Sequence, residues 1–141
     1  MKKLTPVVEK HYQLILWMLP KIANFPKDQR FLLADRIERI LLDILEMLIE
    51  AVYSKNKKEI LIKVNLKLDL LRFMMRIAKD MRYVNINGYD FFCRSSMEVG
   101  RMVGGWHSAD SYARVSDRFY AALSDTVRYF DRGGRCARTS P

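Results

Sequence analysis

Two histidines and two cysteines, His11, His107, Cys93 and Cys136, are where metal or nucleophilic chemistry would have to start in this chain. A carboxylate-bridged metal site in a helical bundle wants a glutamate three residues before its histidine. Val8 and Gly104 stand at those positions instead. There is no Cys-x-x-Cys pair, phosphate-binding loop or nucleophile elbow. His11 shares a helical face with Val8, Leu14 and Ile15, which reads as a structural histidine. Cys93 lies beside Phe91 and Phe92 and reads as a small core residue. Two cysteines make no disulfide scaffold, and free thiols in a reducing compartment are the expectation. No catalytic residue, metal or cofactor is implied.

The chemistry that the sequence does offer is charge. The 141 residues carry 25 Lys and Arg against 16 Asp and Glu, a formal +9, which suits an acidic partner, nucleic acid first. Part of that charge is ordered. In "LDLLRFMMRIAKDMRYV", residues 68 to 84, Arg72, Arg76 and Lys79 recur at three- and four-residue intervals through an apolar stretch. Two readings fit such a stripe. Its cations meet phosphates, or their long stems cover apolar surface while the heads stay in water.

The elements that must carry these residues are few and long, since only 6 Gly and 4 Pro break the chain. Thr5 and Pro6 predict a helix start, with Pro20 expected to kink or end that helix. Asp28 is a candidate cap for a second helix that reaches about Ser54. "IKVNLKLDL" alternates like a strand, but the beat Leu61, Val64, Leu68, Leu71, Met75, Ala78 runs longer than strands do, so a third helix is expected. "VNINGYD" reads as a turn, followed by a fourth helix through Tyr89, Phe92, Val99, Val103 and Trp106. Gly100 and Gly104 give it a flat side about one turn long. Beyond His107, Tyr112, Phe119 and Val127 mark a candidate short fifth helix, and residues 133 to 141 read as disordered. "MKKLTPVVEK" meets Pro6 and Glu9 before any long apolar run, and "LILWML" is too short to span a bilayer. A soluble cytoplasmic protein is the expectation.

Projection at roughly 100° per residue gives the third helix two apolar faces. One holds Leu61, Val64, Leu68, Leu71 and Met75; the other holds Ile62, Leu66, Phe73, Ile77 and Met81. Asn65, Asp69, Arg72, Arg76 and Lys79 form a polar seam between them. A surface helix needs one apolar face only, and a chain this short has nothing to cover a second. The pattern therefore predicts a homo-oligomer, without saying which face is core and which is interface.

Three blocks in order, "FPKDQRFLLADRIERIL", "LKLDLLRFMMRIAKDMRYV" and "EVGRMVGGW", resemble the family that includes the accessory variability determinant (Avd) proteins of diversity-generating retroelements. A sister group is the intervening-sequence proteins encoded within ribosomal RNA genes. The resemblance covers about residues 7 to 107. It implies an all-α, up-down antiparallel four-helix bundle that assembles as a homopentameric barrel, with residues 1–107 as the bundle and 108–141 as an extension. It further implies a non-enzymatic accessory protein that binds reverse transcriptase and template RNA, or an RNA/DNA hybrid, during mutagenic retrohoming. The alternative is an intervening-sequence type of scaffold. Residues 1 to 107 hold 19 Lys and Arg against 12 Asp and Glu, so most of the charge belongs to the bundle. The residues expected at RNA or polymerase are Arg72, Arg76, Lys79, Arg82, Arg36, Arg39 and Arg101. Those expected in the oligomer interface or core are Leu66, Phe73, Ile77, Met81, Gly100, Gly104 and Trp106.

Overall fold

The structure, a computed structural model, describes residues 5–108. Helix α1 spans Pro6–Ala23, α2 Asp35–Tyr53, α3 Lys57–Asp80 and α4 Ile86–Ser108, with no strand among the described residues. Each helix packs on its neighbours in sequence, and α4 closes the bundle against α1. Helices α1 and α3 thus stand across the bundle from each other, as α2 and α4 do. The fifth helix and the terminal disorder read from the sequence fall outside the described residues.

The apolar spacing decides which way each helix turns. Ile37, Leu41, Ile44 and Leu48 of α2 meet Leu61, Val64, Leu68 and Leu71 of α3, all fully buried. Val99 and Val103 of α4 and Met18 of α1 fill in from the other side. Trp17 and Phe91 pack with ring centres 4.5 Å apart, and Phe25 and Tyr83, just past the ends of α1 and α3, lie 5.5 Å apart. Cys93 is buried in this core, as its neighbours suggested, but no cysteine among the described residues is free. The thiol expected to be free is not.

Two local readings are corrected and a third, the kink or end at Pro20, is narrowed. Pro20 does not end α1, which continues to Ala23. The carbonyl that loses its partner belongs to Leu16, and Leu16 and Pro20 are both exposed, so water can take the missing donor's place. Asp28 caps nothing and lies inside a 3-10 turn, Lys27–Gln29. That turn runs into a π turn, Arg30–Ala34, and α2 is entered from a residue already helical, so its first N–H groups need no side-chain cap. Most of "VNINGYD" is helix and not turn, since α4 begins at Ile86. Asn85 caps α4 by accepting a 2.7 Å hydrogen bond from the Gly88 N–H. A Cβ at Gly88 would stand 3.2 Å from that Asn85 oxygen, so glycine leaves room for the cap.

His11 links α1 to α2. It is completely buried, and its Nε2–H donates to the Leu41 carbonyl at 2.9 Å, which fixes the neutral tautomer. Burial lowers its pKa below the ordinary 6.5, against a smaller opposing effect of the hydrogen bond. The unfolded chain therefore takes up the proton first as pH falls. Stability is undiminished above about pH 6.5 and declines below it, until the folded state's own pKa is passed. A scan of melting temperature from pH 7.5 to 5.5 should show this decline. His11→Gln, which retains an amide donor toward Leu41, should flatten it.

Candidate interaction surface

The basic stripe of α3 does not stay on the surface. Arg72 is 1% exposed, the largest of the fully buried side chains. Its Nη2–H donates to the Ser96 carbonyl at 3.0 Å and its Nε–H to the Ser96 hydroxyl at 3.3 Å. That hydroxyl in turn donates to the Cys93 carbonyl at 3.1 Å. Burial lowers the guanidinium pKa to about 10, with Asp69 and Tyr89 pulling it back up. At neutral pH Arg72 thus stays charged and ties α3 to α4. Arg72 is unavailable to a phosphate, which corrects its place among the residues expected to meet RNA. Two of its seam neighbours share its fate in part. Asn65 is buried, and burial raises the pKa of Asp69, opposed by Arg72.

Arg76 and Lys79 are half sunk beside it. Arg76 approaches Asp80 at 3.8 Å, while Lys79 pairs with Asp80 at 3.0 Å and lies over the Tyr89 ring at 5.4 Å. Only 22% of the Arg76 side chain and 12% of the Lys79 side chain reach solvent. The stem-covering reading of the stripe describes this arrangement better than a row of open cations does.

The other basic candidates face outward. Arg36, Arg39, Arg82 and Arg101 are exposed, Arg39 bonded to Asp35 at 2.7 Å and Arg101 to Glu98. Such exposed pairs contribute on the order of 0–1 kcal/mol each, so neither arginine is locked in place. Asp43 of α2 pairs with Lys67 of α3 at 3.5 Å. Arg82 has φ 65°, the left-handed position at the end of α3 where glycine is usual. Its N–H bonds to the Lys79 carbonyl and that of Tyr83 to the Ala78 carbonyl, which closes the helix end.

The two apolar faces of α3 separate cleanly. Leu61, Val64, Leu68, Leu71 and Met75 are core. Leu66, Phe73, Ile77 and Met81 are 44 to 60% exposed, and Leu70, between them, is 36% exposed. Gly100 and Gly104 are buried inside the bundle and Trp106 is half-buried, so these three lie apart from the outer face.

One feature was missed by sequence reasoning. Phe31 and Leu32, in the π turn, are 87% and 60% exposed. With Ile77, Met81, Tyr83 and Arg36 they line a groove of about 490 Å³ at the end of the α3 outer face. The signal was present in "RFLLA", an apolar triplet just before α2. A regular helix would have carried Phe31 inward one turn before Ala34, and the wider π turn breaks that phase.

Among the described residues no three His, Cys, Asp or Glu gather in a way that could hold a metal, and no helix is long and apolar enough to cross a membrane. What the fold defines is a helical bundle whose outward assets are arginines and exposed apolar surface, most continuous on α3. Comparison with known families agrees with that class: residues 6–109 match the bAvd-like family, and the chain belongs to it. It is an Avd-type accessory protein with a four-helix bundle fold. No curated protein and no solved structure matched the chain.

The Arg72 strap has a direct test. Ser96→Ala removes the acceptor of the Arg72 Nε–H and leaves that donor buried, which should lower stability by about 1–3 kcal/mol. Urea denaturation should show an earlier midpoint with an unchanged slope.

Proposed function

We propose that this chain is a non-enzymatic accessory factor of a diversity-generating retroelement. It assembles into a homo-oligomer, a pentamer by family resemblance, and its basic exterior holds reverse transcriptase and template RNA together for mutagenic retrohoming. The observation that carries this reading is the bAvd-like match, which spans nearly all the described residues. Two features of the molecule support it. The +9 charge needs a polyanionic partner or a reason to be soluble, and the exposed Arg39 and Arg101 stand on α2 and α4 and not on α3, while Arg36 and Arg82 flank the end of its outer face. One side of each copy would thus be free to touch RNA while another touches a neighbouring copy.

Binding of this kind rests on phosphates and counterion release, with base edges contributing little. RNA shape, or the polymerase, then supplies the choice of template. Arg36, Arg82 and Arg101 are the cations to test, with Arg39 beside Arg36 on α2. Arg76 and Lys79 contribute only through the fraction of their heads that reaches solvent.

Replacing Arg36, Arg82 and Arg101 together with Gln should weaken RNA binding about equally for unrelated sequences. The slope of log affinity against log salt should become shallower by about 0.7 to 0.9 for each phosphate that the protein no longer neutralises. Circular dichroism should stay helical, since all three side chains are exposed. An unchanged salt slope together with failed polymerase pull-down would move these arginines from RNA to the polymerase. Unchanged RNA and polymerase binding would contradict the proposal.

A further inference from the structure

Cys93 is one half of a disulfide, and it is fully buried. The chain has two cysteines, so within one copy the bond can lead only to Cys136. Cys136 follows Ser108, the last residue of α4, by 28 residues and lies outside the described residues. Bonded cysteines hold their Cα atoms about 4.4–6.8 Å apart. A bond to Cys136 would therefore bring the C-terminal segment back to α4, 15 residues before the helix end that it leaves.

Length and sequence suit that path. Fifteen residues of α4 measure about 22 Å. Tyr112, Val115, Phe119, Leu123 and Val127 share one side of a helix drawn over residues 111 to 130, which would be about 30 Å long. Run back antiparallel to α4, such a helix passes the level of Cys93 by about one turn. Gly133 and Gly134 come next, residues that end a helix and let the chain reverse, and Cys136 stands two positions further on. The place of return also has polar groups to satisfy. Cys93 lies on the α3 side of α4, where its carbonyl accepts from the Ser96 hydroxyl that also takes the Arg72 Nε–H. In the same seam the Arg72 Nη1 and the Asp69 Oδ1 are buried with no hydrogen-bond partner. A polar segment laid over the seam would relieve that cost, and this one carries Ser116, Asp117, Ser124 and Asp125.

We propose that residues 109 to 136 form a strap, folded back along the α3 side of α4 and latched by a Cys93–Cys136 disulfide. The strap is independent of the oligomer and RNA readings above. Closing the latch joins two thiols in one S–S bond. The two electrons and two protons pass to a disulfide oxidant such as oxidised glutathione, which leaves as two thiols. A dithiol reverses the exchange, becomes a disulfide itself and frees the strap. The covering of the α3–α4 seam thus follows the thiol state of the protein's surroundings.

Peptide mapping of the full chain tests the latch, after treatment with oxidised glutathione and with free thiols blocked before digestion. The Cys93 and Cys136 peptides should be recovered joined, from protein that runs at the 16.6 kDa chain mass on a non-reducing gel. Recovery of both cysteines as blocked thiols, or a bond between two copies, would overturn the proposal. Limited digestion with trypsin tests the strap itself. Cleavage after Arg114, Arg118 and Arg128 should be about ten-fold slower in the latched chain than after dithiothreitol, because a packed segment must open before it is cut. Cys136→Ser should be cut as fast as the reduced chain. That substitution lies outside the four helices, so circular dichroism should show the bundle intact. Equal cleavage with and without the bond would show a tether that does not lie against the bundle, and would overturn the strap.

Discussion

Helix α3 has more apolar surface than the other described helices cover. Two stripes, offset around one helix, cannot both face inward in a four-helix bundle. The stripe through Leu61, Leu68 and Met75 is the one that the neighbouring helices take, because α2 and α4 present Ile44, Leu48, Phe92 and Val99 to it. Every other feature follows from what is left over. Leu66, Phe73, Ile77 and Met81 remain in water as a continuous face, at roughly 25 cal/mol for each Å² of apolar surface left uncovered. A basic protein that keeps such a face has a strong reason to associate with itself.

The seam between the stripes shows why charge alone is a poor guide to a binding site. Arg72, Arg76 and Lys79 are chemically alike in sequence but sit in three environments. Arg72 is enclosed because α4 brings Ser96 against it and provides acceptors for its guanidinium. An arginine without those acceptors would have stayed in water, since an unpaired buried charge is far more costly than an exposed one. Arg76 and Lys79, nearer the helix end, are held by Asp80 and by the Tyr89 ring. Burial raises the Tyr89 hydroxyl pKa to about 12, so that ring stays neutral beneath the lysine.

Much of this was legible in the sequence, for reasons that differ by element. Helix α3 declared itself because its apolar beat runs for about five turns, and the residues of the stripe that became core were grouped together correctly without being marked as core. The outer face was legible as an apolar stripe but not as outer, since nothing in a single helix says which side its neighbours will take. The burial of Arg72 was illegible for a related reason: it depends on Ser96, 24 residues away on another helix. The exposure of Phe31 depends on a π turn that no periodicity announces, and the survival of α1 past Pro20 depends on which side faces water. Local pattern set the helices; packing between helices decided the site.

The central claim is that a neighbouring copy covers the outer face of α3, and methionine oxidation of the intact protein tests it most directly. Met81 is 56% exposed in the single chain, Met97 of α4 is 37% exposed, and Met75 is fully buried. In dilute peroxide, Met81 should react about as slowly as Met75 and more slowly than Met97. Reaction of Met81 as fast as or faster than Met97 would show that the face is open to water and contradict the account.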